Sequence, residues 1–554
     1  MLKKISALSL ALVLLVGCGG GSTATTTTTT EGGDSGASTG TPAATTGGGQ
    51  VLRFGTSGFE GVFNPILSDN VYDAYVTEMV FDGLVGNNAS GEYVPELATW
   101  ELSDDHLTYT FTLKDGVKFS NGKAVDANDV AFTYNTIKED DYAGPRSAVG
   151  AAIANIEVID DKTIAFTMVD PSPANIQNFT YGILEDEYYA HGSFEELSSK
   201  NNAPMGAGKL VLEGWEPKQY VSLVANNDYW DAANKLKIEG VLFTNIEEDA
   251  LLLAALQNGD IDFCQPQAKA ENVEQVEAMP GAHLVSYLAN GYTFMCFNTT
   301  RPTLEQKEVR QALLYALDRP SFLTAEYGSD QLVSLGMAPI SKTSWAYPGD
   351  DALNRYDYDL EKAAQMLEDA GWTDTDGDGI RDKNGVPLEL NWLVYHEATW
   401  PGTLSGMAYD SWGKIGVKLN IQQMDFNTVA ATTMDAAPGE KDFDIYTMGF
   451  SLSIDPDPTG GLFDADAYSA GGYNASGFRD EKSQELMKAG LTEFDQDKRA
   501  EIYKEWAVLQ NELVPTAIVA YRSEIWAVSD RVHGLDDIGV YTDFTQLLQN
   551  VTLD

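Results

Sequence analysis

The chain has 554 residues, too many for one ordinary hydrophobic core, so two or three lobes are expected. Hydrophobic residues make up 43% and aromatic residues 10%, the composition of a globular protein with disorder confined to short segments. Acidic residues outnumber basic ones 83 to 35, and a net charge of −48 excludes a surface that grips a duplex or an anionic membrane by charge alone. The imbalance reads first as solubility, with a basic partner as the sharper alternative.

In chain order, Lys3 and Lys4 open a positive segment and Ile5 to Val16 form an apolar run, too short to span a bilayer comfortably. Residues 1–17 therefore read as a signal peptide. Its end, Leu15-Val16-Gly17-Cys18, resembles the lipobox of bacterial lipoproteins. The resemblance implies cleavage before Cys18 and a lipid on that cysteine. Residues 18–50 are mostly Gly, Thr, Ser and Ala and have almost nothing to bury. As a flexible coil this stretch would span about 30 Å, a tether for a body beginning near Val51.

In that body, Tyr109, Phe111 and Leu113 alternate with threonines, the period of a half-buried strand. Asp115-Gly116 and Asn121-Gly122 supply turns, and Asp126 caps a helix with Val130, Tyr134 and Ile137 on its apolar face. Thr303 to Gln306 forms a candidate capping box before the face Val309, Ala312, Leu313, Ala316 and Leu317, which Pro320 is expected to end. Asp359 caps a helix carrying Leu360, Ala363, Leu367 and Ala370, with Gly371 as its stop. Cys264 and Cys296 lie in strand-like apolar surroundings, which predicts buried thiols rather than a disulfide.

Six blocks in this order resemble the extracellular solute-binding proteins of the oligopeptide, dipeptide and nickel class, which feed ABC importers. They are "PELATWELSDDHLTYTFTLKDGVKFSNGKAVDANDVAFTY", "GWEPKQYVSLVANNDYW", "LLLAALQNGDIDF", "FNTTRPTLEQKEVRQALLYALDR", "YDYDLEKAAQMLEDAGWTDTDGDGIRDKNGVPLEL" and "DFDIYTMGFSLSIDPDP". The resemblance implies an α/β fold of the two-lobed periplasmic-binding-protein type (type II) with an extra inserted subdomain. Mapped onto this chain, lobe I takes 51–85, 205–290 and 528–554, the subdomain 86–204, and lobe II 291–527. It also implies a monomeric receptor that does no chemistry. Such a receptor closes on a peptide and hands it to permease subunits.

The same resemblance places a ligand-anchoring aspartate near "DPDP". Counting back from Pro458, the expected acid falls on Ile454, so Asp455 serves only if the loop shifts by one residue; the alternative is a cap or turn beside prolines. Tyr292 and Asn298 sit on the strand expected to enter lobe II beside the cleft, and Tyr395, His396 and Trp400 follow another strand that points there. Asp374, Asp376, Asp378 and Asp382 occupy positions 1, 3, 5 and 9 of an EF-hand-like loop, but Gly385 stands where the bidentate Glu belongs. Calcium is thus a candidate and not a requirement. "MGAGK" at 205–209 lacks the leading glycine of a phosphate loop, and "HE" at 396–397 lacks the second histidine of a zinc protease. The reading is a lipid-anchored peptide receptor outside the cytoplasm. An oligosaccharide or metal-chelate receptor and a tethered peptide-signal sensor are its alternatives.

Overall fold

The computed structural model describes residues 50–329, 331–535, 540–542 and 544–554. The signal peptide, Cys18 and nearly all of the tether lie outside the described residues.

A twelve-stranded sheet runs through both lobes. Its centre is the 14-residue strand Thr516–Ser529, whose burial is nearly unbroken. The first part of this strand pairs antiparallel with Gly291–Phe297 from Thr516 to Ala520. Its second part pairs with Ala282–Leu288 from Ser523 to Ser529. One strand therefore belongs to both lobes. Beside it, Ala289 and Asn290 make the other crossing. The Ala289 amide donates to the Arg522 carbonyl at 2.9 Å, and the Asn290 carboxamide donates to the Leu452 and Ser453 carbonyls at 2.8 and 2.9 Å. The return to lobe I thus falls near residues 521–523, ahead of the boundary at 528 drawn from sequence. The strand carries no glycine or proline there, and its one polar run, Arg522-Ser523-Glu524, coincides with the crossing.

In lobe I, Val51–Thr56 pairs in parallel with Gly240–Asn245 and with Phe263–Cys264. In lobe II, Glu389–Tyr395 pairs in parallel with Lys418–Met424 and Ile445–Ser451, and the last of these runs antiparallel to Gly291–Phe297. Both sets of parallel strands aim their carboxyl ends at the crossing, the place where open α/β sheets bind ligands.

Between residues 98 and 168 a four-stranded antiparallel sheet forms the inserted subdomain. Tyr109, Phe111 and Leu113 point into its core, and the helix Ala127–Ile137 starts at Asp126 in a full capping box with Asp129. This subdomain shares one continuous core with lobe I, whereas residues 292–521 build a second core. Two large cores among the described residues, with two small clusters beside them, agree with the size argument.

Two helix boundaries differ from expectation. Thr303 does not cap a helix; the helix is Lys307–Tyr315, with Gln306 at its N-cap. The Arg310 guanidinium reaches back to the Leu304 and Glu305 carbonyls at 2.7 and 2.9 Å and holds that segment as a turn. Pro320 ends nothing. It sits in the first turn of the next helix, Arg319–Tyr327, where its missing N–H is harmless, and Asp318 caps that helix. The Asp359-capped helix Leu360–Asp369 forms as expected, with Gly371 at φ +88° beyond it. Cys264 and Cys296 are buried and free, and burial pushes both thiols up to about 12.

Candidate ligand-binding cleft

The candidate cleft is assigned from topology to the place where the carboxyl ends of the two sets of parallel strands converge on the crossing. On the lobe I side, the Tyr75 hydroxyl donates to Gln265 Oε1 at 3.3 Å, and Gln265 Nε2 donates to Glu524 Oε2 at 3.3 Å. Burial raises the Glu524 carboxyl above its usual range, against the opposing pull of Arg522 and Gln265. Tyr287 lies across from Glu524 in the strand register and meets the Trp526 ring edge-on at 6.4 Å.

On the lobe II side, Tyr395 ends its strand and packs edge-on against Trp400 at 6.0 Å and Phe426 at 5.5 Å. Both Tyr395 and Trp400 are buried within the lobe II core. Burial raises the Tyr395 hydroxyl, and the nearby Arg522 charge opposes that shift. His396 is tied to Glu397 at 3.1 Å.

Tyr292 stands at the crossing end of its strand, but its ring is buried and stacks on Phe450 at 6.0 Å. Asn298 lies beyond the opposite end of that strand, about 20 Å away at 3.3 Å per residue. Its carboxamide donates to the Phe443 carbonyl and accepts from the Thr300 amide and hydroxyl. The expectation that Asn298 lines the cleft is corrected: an amide at a strand end served to shape a loop.

Asp455 has a partner of its own. Arg499, on the helix Gln496–Leu513, binds both its oxygens at 2.5 and 2.8 Å. Burial pulls the Arg499 guanidinium down, but the Asp455 carboxylate outweighs it and the net shift is upward. Burial and the Asp455 charge together raise the Asp457 carboxyl, which accepts from the Tyr503 hydroxyl. Asp455 therefore presents no free carboxylate to an amine. Ile454, where the acid was expected, faces lobe I: a side chain at Gly91 would meet Tyr541 and Ile454 within 3.1 Å. A second contact between the lobes is the stack of His106 on Phe494, at 3.8 Å.

The acidic loop divides. Asp374, Asp376 and Asp378 converge to within 4.8 Å of one another, while their oxygens already accept amides of their own loop. Asp382 does not join them, because it binds the Thr375 amide and hydroxyl at 2.9 and 2.6 Å. The fourth proposed calcium ligand is thereby corrected to a loop brace.

Residues 92–471 match the family described as "Bacterial extracellular solute-binding proteins, family 5 Middle". The chain belongs to this family. Its members are binding proteins and not enzymes, and the described fold is that of the family. The oligopeptide-binding protein AppA of Bacillus subtilis is 27% identical over 492 residues, 88% of this chain and 89% of the relative. The structure of that protein in complex with a nonapeptide matches at TM-score 0.70 and 26% identity, covering 91% of this chain and 98% of the other. The nickel-binding periplasmic protein of Escherichia coli is 29% identical over 330 residues, 57% of this chain and 60% of the relative.

Sequence reasoning passed over Arg522 and Glu524. They share one face of the strand Thr516–Ser529, two residues apart, and are the two charged residues in it. Charges at alternate positions inside a long apolar strand were the available signal, since a buried strand has no reason to carry them unless they meet something.

Proposed function

We propose that this protein captures peptides outside the cytoplasm and delivers them to an ABC-type importer. The observation that carries this is the pair of lobes joined through a shared strand, with a cleft lined by tyrosines, an amide and two charges. The match to an oligopeptide-binding relative along 89% of that relative's length supports peptides as the ligand. An extended peptide offers main-chain donors and acceptors that suit such a cleft, while its side chains project into wet pockets. Binding energy goes into closure, because only a ligand that prefers the closed state shifts the equilibrium. The Leu15–Cys18 motif supports a lipid anchor, so that a monomeric receptor swivels on its tether near the permease. Replacing Cys18 with alanine should abolish palmitate incorporation in the producing cell, and continued labelling would dismiss the anchor.

A second reading keeps the class and changes the ligand to a metal chelate or an oligosaccharide. Ile454 in place of the expected acid favours it, as does the engagement of Asp455 by Arg499. Isothermal titration with defined peptides, nickel–histidine and maltodextrins separates the two readings. The peptide reading requires saturable heat from the peptides, and heat from either of the others alone would overturn it.

A further inference from the structure

Arg522 stands where the two lobes share one strand. Its carbonyl accepts the Ala289 amide at the other crossing, and Val333 is its partner in the strand register on the lobe II side. Among the described residues its guanidinium makes no hydrogen bond and no ion pair, which is unusual for a fork of five donors in a half-buried position.

The acids around it are already engaged. Glu524, two residues along the same face, takes Gln265 and does not pair with Arg522. Glu326 accepts from the Thr399 and Thr403 hydroxyls, the latter at 2.7 Å. Glu397 accepts from the Phe426 amide at 2.8 Å and is paired with His396. Beside Arg522 lies Tyr327, whose buried hydroxyl also has no partner among the described residues. Two donor groups without partners among the described residues thus lie near the crossing, one of them cationic.

We propose that Arg522, with the Tyr327 hydroxyl beside it, receives a carboxylate of the bound peptide at the hinge. This rests on the peptide reading above and adds to it an anchor and a polarity for the ligand. A guanidinium binds a carboxylate through two parallel hydrogen bonds, and a phenol adds a third donor. Closure removes water from the floor and strengthens that pairing at the point both lobes share, so the anchored charge favours the closed form. The carboxylate has two sources, the peptide's C-terminus or an acidic side chain.

The test uses the full chain in detergent with alanine-based peptides of graded length. Each is offered as the free acid, as the C-terminal amide, and as the amide carrying one glutamate. Wild type should prefer a carboxylate-bearing series over the plain amide by about tenfold or more, and Arg522→Gln should erase that preference, bringing the ratio of the two affinities measured on the same variant to about one. Loss confined to the free acids assigns the C-terminus, and loss confined to the glutamate series assigns a side chain. Arg522→Lys keeps the charge without the fork and should retain part of the preference. If Arg522→Gln does not fold, Arg522→Lys and Tyr327→Phe carry the same comparison. A wild type that binds peptides without preferring a carboxylate, or a variant that keeps the preference, overturns the inference and leaves the peptide reading standing. A wild type that retains no peptide in any series overturns both.

Discussion

Replacing Asp455 with asparagine tests the assignment of this residue to the fold and not to an amine. The Asp455 and Arg499 side chains are 9% and 4% exposed, and the two bonds measure 2.5 and 2.8 Å. Asparagine supplies one oxygen and no charge, so Arg499 stays buried with its compensation removed. Breaking a buried pair from one side costs about 3–5 kcal/mol, chiefly for the charge left behind. Arg499 keeps the Gly490 carbonyl at 2.8 Å and the Tyr503 hydroxyl at 3.3 Å, which places the loss near the lower end. Urea unfolding followed by hydrogen exchange across residues 480–505 reads that loss in the segment concerned, without treating two cores as one transition. Asp455→Leu with Arg499→Met should recover most of it, because a well-packed apolar pair often equals a buried ion pair. Asp455→Asn with unchanged protection, together with weakened binding of free-amine peptides but not N-acetylated ones, would refute the reasoning and return Asp455 to the cleft.

Three further outcomes are expected. Burial raises Asp129 from 3.8 to about 6, so its contribution to stability is complete below pH 3.8 and is lost as pH rises through about 6. At 1.36 kcal/mol per pH unit that loss is about 3 kcal/mol; Asp129→Asn should flatten the stability difference across this window, and an unchanged slope would exclude Asp129 as its source. Phe494→Ala removes the stack on His106 that joins the subdomain to lobe II, and at about 0.5–1.5 kcal/mol for an aromatic pair should weaken ligand binding about two- to tenfold without lowering the melting temperature of the unliganded protein. The three converging carboxylates at 374–378 lack Asp382, so calcium should bind no tighter than about millimolar and chelation should leave thermal stability unchanged; micromolar saturation by calorimetry would contradict this.

Much of the architecture was legible because it is written in local patterns. The Tyr109–Leu113 alternation, the Asp126 and Asp359 caps and the six family blocks each depend on neighbours a few residues away. What could not be read depends on distant partners. The cap expected at Thr303 lost to an arginine that turns back onto the Leu304 and Glu305 carbonyls. Asp455 was expected to face a ligand, but its pairing comes from a helix 44 residues on. Tyr292 and Asn298 flank one strand at its two ends, and only the direction of that strand relative to the crossing separates the near end from the far end. The Thr516–Ser529 strand marks its lobe boundary only by Arg522, Ser523 and Glu524, a short polar run inside an unbroken strand, because no turn residue interrupts the pairing there.

The cleft is expected to hold peptides. Native mass spectrometry of the protein purified from its own cells, followed by acid release and sequencing of what it carries, tests this most directly. The expected result is a ladder of small adducts that sequence as peptides bearing a common carboxylate position. One non-peptide mass, such as a sugar or a metal chelate, would contradict it.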